Sequence, residues 1–271
     1  MKEVNTFNSA GFSDVASTNI KAEFDKLESL LGTAAMGTGS FENAGLKQTN
    51  YRAGNGVNVA SNNWGEMPYW ALGFNQYGQK ISLYQEDTLG FNPFANHSLY
   101  KQADYLALGA ALETLSPSLT FSTLNDIIKA GSNDMKASYE GVLDAVRQLV
   151  SATRITATQV GDAGDNAATR ADFHANLAAL QTNSTFKSLA GKLSFSAAAA
   201  SATSAKTDFA QFLSLYDLAP FSVSVSDAAA KTALLNARTD VATKWQSLAD
   251  NFSDKWLACL LYTSDAADDT P

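Results

Sequence analysis

The hydrophobic pattern changes its period about a hundred residues into the chain, and this change most restricts the possible folds. The first part contains short segments in which apolar and polar residues alternate, such as residues 4–7 and 80–84, and this spacing is typical of half-buried strands. Further along, apolar residues recur every three or four positions, as they do on the buried face of a helix. The sequence therefore predicts an α/β segment over residues 1–115, followed by an all-helical domain over residues 116–258.

Turn signals and apolar spacing divide these two segments further. Gly54-Asn55-Gly56 lies between the candidate strands at residues 48–51 and 57–60, and such a tripeptide is typical of a tight turn. The apolar spacing of the second segment predicts several helices, three of them continuous over residues 171–180, 203–218 and 227–248.

The composition excludes several classes of protein. With 45% hydrophobic and 10% aromatic residues, the chain of 271 residues is too apolar to be wholly disordered. Its 19 basic residues against 27 acidic ones give a net charge of −8, which argues against nucleic-acid binding. No apolar run approaches the ~20 residues of a membrane-spanning helix, so no transmembrane segment is expected. A single cysteine, Cys259, rules out an internal disulfide framework, and no Cys/His cluster indicates zinc.

The end of the chain departs from the sequence before it. The stretch from Cys259 to Asp269 resembles the in-frame translation of a sequencing adapter, a contaminant of assembled metagenomic genes. We therefore expect residues 259–271 to be an adapter-derived tail, with the natural sequence stopping near Ala258 and the gene continuing beyond it.

Only two histidines are available for acid–base chemistry. His97 lies in a predicted loop between a strand and a helix, where a neutral imidazole is placed to act as a general base. The alternative is a hydrogen bond from this histidine at the start of the helix. His174 lies beside Phe173 inside an amphipathic segment, which indicates a surface or half-buried helix histidine.

The sequence does not decide which residue would orient the imidazole of His97. Three carboxylates lie in or next to predicted loops, namely Glu66, Glu86 and Asp87. Each of them is also explained as a solvated side chain. The turn after the strand at residues 48–51 offers only two asparagines, Asn55 and Asn58. An asparagine can hold an imidazole tautomer, but it does not stabilise the imidazolium as a carboxylate does.

A nucleophile is missing from the chain. No G-x-S-x-G elbow occurs anywhere in the sequence. Ser40, in the stretch Gly-Thr-Gly-Ser-Phe, lacks the strand–turn–helix context of such an elbow. No phosphate-binding loop follows these glycines either, because the G-x-x-x-x-G-K-[ST] pattern is absent.

Several segments, taken in order, resemble secreted lipases of the RTX type. The stretch Asn96-His97-Ser98-Leu99-Tyr100-Lys101-Gln102-Ala103-Asp104 is similar to the NHS-x-Y-K-x-x-D stretch that carries the triad histidine in their lipase-like domains. Residues 4–12 resemble the strand and turn after the nucleophile helix in class 3 lipases, and residues 48–51 the strand that precedes the triad acid. Residues 208–221 and 252–258 are similar to the helical region before the calcium-binding repeats of these proteins.

This resemblance implies that residues 1–115 form a partial α/β-hydrolase, the C-terminal part of a lipase-like domain. In such enzymes a serine attacks the ester carbonyl, a histidine takes its proton and backbone amides hold the oxyanion. The chain order is Ser, then Asp, then His. His97 would be the general base, and the nucleophilic serine would lie upstream of Met1. The acid position holds Asn55 or Asn58, so we expect this fragment to be inactive by itself.

The same resemblance implies where the intact protein acts and with what. It implies an extracellular protein with a lipid or ester substrate and the type I secretion machinery as a partner. The acidic balance and the absence of cysteine before residue 259 suit this export. No cofactor is expected in this chain, because calcium would bind only to the downstream repeats, which are missing here.

A non-catalytic function is the alternative. The chain would then be a helical structural module of a large type I-secreted adhesin or surface protein, and such a module tolerates the loss of triad residues. A self-contained cytosolic domain is a third interpretation, which requires both ends of the chain to be genuine. A G-x-S-x-G elbow shortly upstream of Val4 would favour the enzyme over the module.

Overall fold

The computed structural model describes residues 4–7, 12–13, 26, 29–30, 48–53, 57–58, 63–64, 74–75, 79–84, 99–131, 138–151, 167–217, 219 and 221–251. The chain forms two compact units, Met1–Leu106 and Ala107–Pro271. The division falls within a long helix, Leu99–Leu115. Parallel strands in the first unit and many helices in the second make the described fold a mixed α/β one, as the change of hydrophobic period predicts.

Apart from helical residues at 26, 29–30 and 99–106, the described part of the first unit consists mainly of strands. In chain order they are β1 (Val4–Phe7), β2 (Phe12–Ser13), β3 (Gln48–Ala53), β4 (Val57–Asn58), β5 (Asn63–Trp64), β6 (Phe74–Asn75) and β7 (Gln79–Leu83). The strands predicted at residues 4–7, 48–51 and 80–84 are thereby confirmed. These three form a parallel sheet in the order β1-β3-β7, while β2 pairs with β6 and β4 with β5 in antiparallel two-stranded ladders.

The parallel sheet carries most of its apolar side chains on one face, although Asn5, Thr49 and Gln79 lie on that face as well. Its register pairs Phe7 with Tyr51 and Tyr51 with Ile81, and the rings of Phe7 and Tyr51 stack with their centroids 5.2 Å apart. Leu83 lies on the same face and is fully buried. Because side chains alternate along a strand, the register places on the opposite face Thr6, Asn50, Arg52, Lys80 and Ser82. A parallel sheet usually has apolar residues on both faces, so the polar face is the distinctive feature of this unit.

The second unit contains the last part of the long helix α1 (Leu99–Leu115) and further helices. In chain order these are α2 (Phe121–Gly131), α3 (Ser138–Val150), α4 (Ala167–Thr182), α5 (Ser184–Ser188), α6 (Ala202–Thr207), α7 (Phe209–Tyr216), α8 (Ala228–Ala237) and α9 (Thr239–Asn251). Two strands lie among them, β8 (Leu193–Ser196) and β9 (Ser222–Val225).

The second unit has its own hydrophobic core. Helices α1, α2 and α3 contribute buried aliphatic side chains at helical spacing, among them Leu108, Leu112, Leu115, Leu124, Ile127, Ile128, Val142, Leu143 and Val146. The rings of Phe209 and Trp245 lie 5.1 Å apart, and Trp245 Nε1 donates a hydrogen bond of 2.8 Å to the carbonyl of Ala205. Each fully buried side chain of this size stabilises the fold by about 1.5–3 kcal/mol.

The prediction of an all-helical second segment is wrong in one respect. β8 and β9 pair antiparallel, with Leu193 opposite Val225 and Ser196 opposite Ser222. The alternation of serine with apolar residues in LSFS and SVSV has the period of a half-buried strand. The apolar side chains of the two strands contribute to the core of the second unit. Leu193 and Val223 are buried, and the ring of Phe195 lies 6.0 Å from that of Phe221.

The continuous helix predicted over residues 203–218 is interrupted at Asp208. This residue has an extended backbone (φ −122°, ψ 115°) and separates α6 from α7. Its carboxylate caps α7 by accepting hydrogen bonds from the backbone N–H groups of Ala210 at 2.8 Å and Gln211 at 3.4 Å. The second carboxylate oxygen accepts the N–H of Val225 at 3.0 Å, so one side chain caps a helix and holds β9 beside it.

The continuous helix predicted over residues 227–248 is interrupted at Arg238, whose side chain is 4% exposed. Nη1 donates to Asp217 Oδ2 at 2.6 Å and to the carbonyl of Gln148, and Nε donates to Asp240 Oδ1 at 3.0 Å. Burial alone lowers the pKa of Arg238, but the bonds to Asp240 and Asp217 outweigh it and raise that pKa. Burial raises the pKa of Asp217 in spite of Arg238, whereas the hydrogen bond from Arg238 lowers the pKa of Asp240.

Replacing Arg238 by methionine tests the weight of this buried pair. Arg238→Met leaves the Asp217 carboxylate and the Gln148 carbonyl without their buried donor, so the free energy of unfolding should fall by about 3–5 kcal/mol. Urea denaturation followed by far-UV circular dichroism measures the change. The control is Asp240→Asn, which alters the more exposed partner and should cost about 1 kcal/mol or less. A loss below about 1 kcal/mol for Arg238→Met would show that the pair does not stabilise the second unit.

The destabilisation should also depend on pH. In Arg238→Met, the pKa of Asp217 should rise further above its unfolded-state value, because the cation that opposes the effect of burial is gone. The folded protein then loses stability as the pH rises above the unfolded-state pKa, where the buried carboxyl group has to ionise. In the parent protein Asp240 has a lowered pKa, so its stabilisation is lost as the pH falls through the folded-state value. The first effect predicts a smaller stability difference between the two proteins at about pH 4 than at about pH 7, and the second effect reduces the difference further below about pH 4. A difference that is the same at both pH values would contradict this assignment.

Candidate functional site

The carboxyl edge of the parallel sheet is the first candidate site. All three strands run in the same direction, and the final pair in the register of β3 and β7 is Ala53 with Leu83. Neighbouring strands lie about 4.8 Å apart, so the chain leaves β3 and β7 at adjacent points of one edge. In open sheets of parallel strands, ligands bind outside the carboxyl ends of the strands.

Along the chain, the residues predicted from sequence follow the two strands or precede α1. Asn55 comes two positions after β3, and Glu86 and Asp87 come three and four positions after β7. His97 precedes α1 by two positions. These four residues and Glu66 lie outside the described residues. Asn58 is the second residue of β4, where only the backbone is described. Their mutual distances therefore stay predictions.

The polar face of the sheet contains a buried amide. Asn50 is 0% exposed at the centre of β3, and its Oδ1 accepts a hydrogen bond of 3.2 Å from Thr6 Oγ1 on β1. Its Nδ2 has no hydrogen-bond partner within the part of the chain that the structure describes. A buried donor without a hydrogen bond lowers the stability of the fold by about 1–3 kcal/mol. The position of Asn50 is therefore not explained by stability alone.

Two cationic side chains lie on the same face. Lys80 is the register partner of Asn50 on β7, and Arg52 is two residues beyond Asn50 on β3. Arg52 Nε donates to Ser82 Oγ at 3.4 Å. Burial and, after it, the charge of Arg52 lower the pKa of Lys80. The two cations therefore lie close enough to repel each other.

The start of α1 is the second candidate site. Four polar or ionisable side chains follow the segment with His97 and are buried to at least nine-tenths: Lys101, Gln102, Asp104 and Tyr105. Burial raises the pKa of the Tyr105 hydroxyl well above its ordinary value. Gln102 is 1% exposed, and neither Oε1 nor Nε2 has a hydrogen-bond partner among the described residues. Buried polar groups of this kind are concentrated at functional sites.

Sequence analysis assigned no role to Asn50, Lys101 or Gln102. For Lys101 a signal was available. A step of seven residues back from Leu108 reaches Lys101, and the same step back from Leu112 reaches Tyr105, so both lie on the buried stripe of α1. For Asn50 the signal is absent from local sequence, since its burial follows from strands paired on both sides. The resemblance to lipases included Lys101 and Gln102 only as part of a matching stretch.

His174, the other histidine, is exposed on α4. Its ring meets that of the buried Phe173 edge-on, with centroids 5.4 Å apart. This placement agrees with a surface histidine of an amphipathic helix. It makes His174 a matched control for experiments on His97.

A small cleft in the second unit offers little room for a ligand. Its volume is about 10 Å³, which is space for roughly one water molecule. The side chains around it include Ser214 and Asp217. Ser214 Oγ donates to the carbonyl of Ala210 at 3.0 Å and accepts the N–H of Val223 at 3.1 Å. This hydroxyl is thus engaged in holding α7 to β9, and the carboxylate of Asp217 is bound to Arg238.

The described residues form neither a metal-binding cluster nor a membrane-spanning helix. Within the described ranges, no group of three or more histidine, cysteine, aspartate or glutamate side chains is placed to hold a metal ion. None of the helices in those ranges is both long and apolar enough to cross a bilayer.

Comparison with protein-family models, with curated proteins and with solved structures found no match to this chain. A function for this chain is therefore inferred from its candidate site residues and from the parallel sheet of β1, β3 and β7.

Gln102 provides a direct test of the buried polar start of α1. Gln102→Met keeps the length of the side chain and removes two unsatisfied polar atoms, so it should raise the free energy of unfolding by about 1–3 kcal/mol. Thermal and urea denaturation measure the change. The control Gln246→Met alters an exposed glutamine of α9 and should change stability by less than about 0.5 kcal/mol. A destabilised Gln102→Met protein would show that the amide is hydrogen-bonded in solution.

Proposed function

We propose that this chain is the C-terminal part of a lipase-like α/β-hydrolase domain with its following helical domain, in a secreted RTX-type protein that hydrolyses esters. The observation that carries the proposal is the parallel adjacency of β3 and β7. The candidate acid position follows the first of these strands, and His97 follows the second. The order acid before histidine is that of the hydrolase triad.

Ester hydrolysis requires these groups in defined roles. In the intact protein a serine upstream of this chain attacks the ester carbonyl, and His97 accepts the serine proton and returns it to the leaving alcohol. Backbone N–H groups stabilise the oxyanion. Strands that end side by side at one edge support this arrangement, because loops leaving adjacent strands can bring an acid to the imidazole of His97.

The identity of the acid decides how active the domain can be. Asn55 or Asn58 would hold the imidazole tautomer without stabilising its charged form, which costs about 10⁴-fold in rate in a serine triad. Glu86 and Asp87 follow β7 and Glu66 lies in the loop region, so one of these carboxylates is the alternative. The buried polar start of α1, next to His97 in sequence, adds support for a site in this region.

Secretion and partners follow from the same proposal. The intact protein would leave the cell through type I secretion machinery, act outside it on a lipid or ester substrate, and bind calcium in repeats beyond this chain. The acidic composition suits such a protein.

A helical structural module of a large secreted adhesin or surface protein is the second candidate function. The observation that favours it is the hydrophobic core that the second unit forms from its own residues. A unit of this kind can act as a spacer with no catalytic residue. The absence of a G-x-S-x-G elbow from the chain is expected for this function as well.

A pair of histidine variants distinguishes the two functions. The gene should first be extended upstream from flanking genomic sequence, and the extended protein assayed on short- and long-chain esters. We expect a G-x-S-x-G serine and an esterase activity sensitive to serine-directed inhibitors. His97→Ala should lower kcat/KM by about 10⁴-fold or more, while His174→Ala should leave it within about twofold.

The present chain serves as the negative control and should show no turnover above buffer. Inhibitor-sensitive activity in this chain would place the nucleophile within it and contradict the proposed triad. An extended protein without the elbow, or one with equal activity in both histidine variants, would favour the structural module.

A further inference from the structure

The polar face of the parallel sheet presents hydrogen-bond donors in two adjacent rows. Thr6, Asn50 and Lys80 are register partners across β1, β3 and β7. The next row toward the carboxyl ends, on the same face, pairs Arg52 with Ser82. The three strands read VNTF, QTNYRA and QKISL, so they supply no acidic side chain to this face.

The amide of Asn50 is oriented by its neighbour. Its Oδ1 accepts the hydroxyl of Thr6 on the β1 side, so the Nδ2 branch of the amide points away from that contact. Both N–H groups of Nδ2 have no acceptor among the described residues, although the side chain is 0% exposed. An acceptor brought by a ligand would remove the penalty of burying these donors without a hydrogen bond.

The charges beside this donor have the same sign. Arg52 lies in the next row on β3 and Lys80 in the same row on β7, and the charge of Arg52 contributes to the lowered pKa of Lys80. An oxyanion beside these two cations would be attracted to both of them. The guanidinium offers a planar fork for two oxygens and the ammonium a compact charge, and both suit an oxyanion.

We propose that the polar face binds a compact oxyanion, a phosphate or carboxylate group, through Asn50 Nδ2, Arg52 and Lys80. Asn50 supplies the buried donor that fixes the position of one oxygen. Arg52 and Lys80 supply the countercharge. This site lies on a face of the sheet and does not depend on the proposed ester hydrolysis.

Titration of the full chain with inorganic phosphate tests the proposal, with sodium chloride used to keep the ionic strength constant. Binding is followed by the rise in melting temperature and by the ³¹P NMR linewidth. Arg52→Gln and Lys80→Gln should each weaken binding about tenfold or more, because each removes a charge-assisted hydrogen bond. Asn50→Asp keeps the size of the side chain, exchanges the donor for an anionic acceptor and should abolish binding. Lys26→Gln removes an exposed lysine of the same unit and should leave binding unchanged.

Acetate in a parallel titration identifies the preferred oxyanion. Saturable binding of phosphate, of acetate or of both, lost in the three site variants and kept in Lys26→Gln, supports the site. The proposal is overturned if neither anion binds at concentrations up to about 10 mM, since this corresponds to less than about 3 kcal/mol of affinity. It is also overturned if Lys26→Gln weakens binding as much as Arg52→Gln and Lys80→Gln do.

Discussion

The parallel pairing of β3 with β7 is the constraint on which the functional account depends. In a parallel pair both strands end at the same edge, so the segments that follow them begin side by side. In an antiparallel pair of the same length, the ends of β3 and β7 would lie at opposite edges, about 15 Å or more apart. The residues after Ala53 and those after Leu83 would then have to cross the length of the sheet to meet at one imidazole. The register of these two strands thus matters more to the proposed chemistry than any single loop residue.

Two buried polar side chains of the first unit, like Asn176 in the second, have a polar atom without a hydrogen-bond partner among the described residues. Asn50 and Gln102 each carry polar atoms that no described residue satisfies, and each lies where an apolar residue would stabilise the fold. Natural sequences depart from the local rules of folding mainly at functional sites. In the first unit these departures occur in the sheet and at the start of α1, the elements on either side of the segment that carries His97.

The sequence allowed the individual elements to be predicted better than their connections. Alternation identified the strands at residues 4–7, 48–51 and 80–84, but no local pattern gives their parallel order. Helical spacing identified the apolar stripes, yet it missed the interruptions at Asp208 and Arg238. Both interruptions are made by side chains that bind distant partners, the N–H of Val225 for Asp208, and Asp217 with the Gln148 carbonyl for Arg238. Such tertiary hydrogen bonds override helix propensity and cannot be read from the neighbouring residues. The role of His97 was inferred from its loop position and from resemblance, and it stays a prediction.

Disulfide formation across the sheet tests the central claim most directly. In a Cys259→Ser background, Thr49→Cys with Gln79→Cys joins two register partners of β3 and β7, and the account predicts that this pair oxidises readily. Thr49→Cys with Ser82→Cys is the matched control, because its partners are three residues out of register, about 10 Å further along the strand and on opposite faces. Rapid oxidation of the control pair, with the first pair remaining reduced, would contradict the parallel register and with it the shared edge of the proposed site.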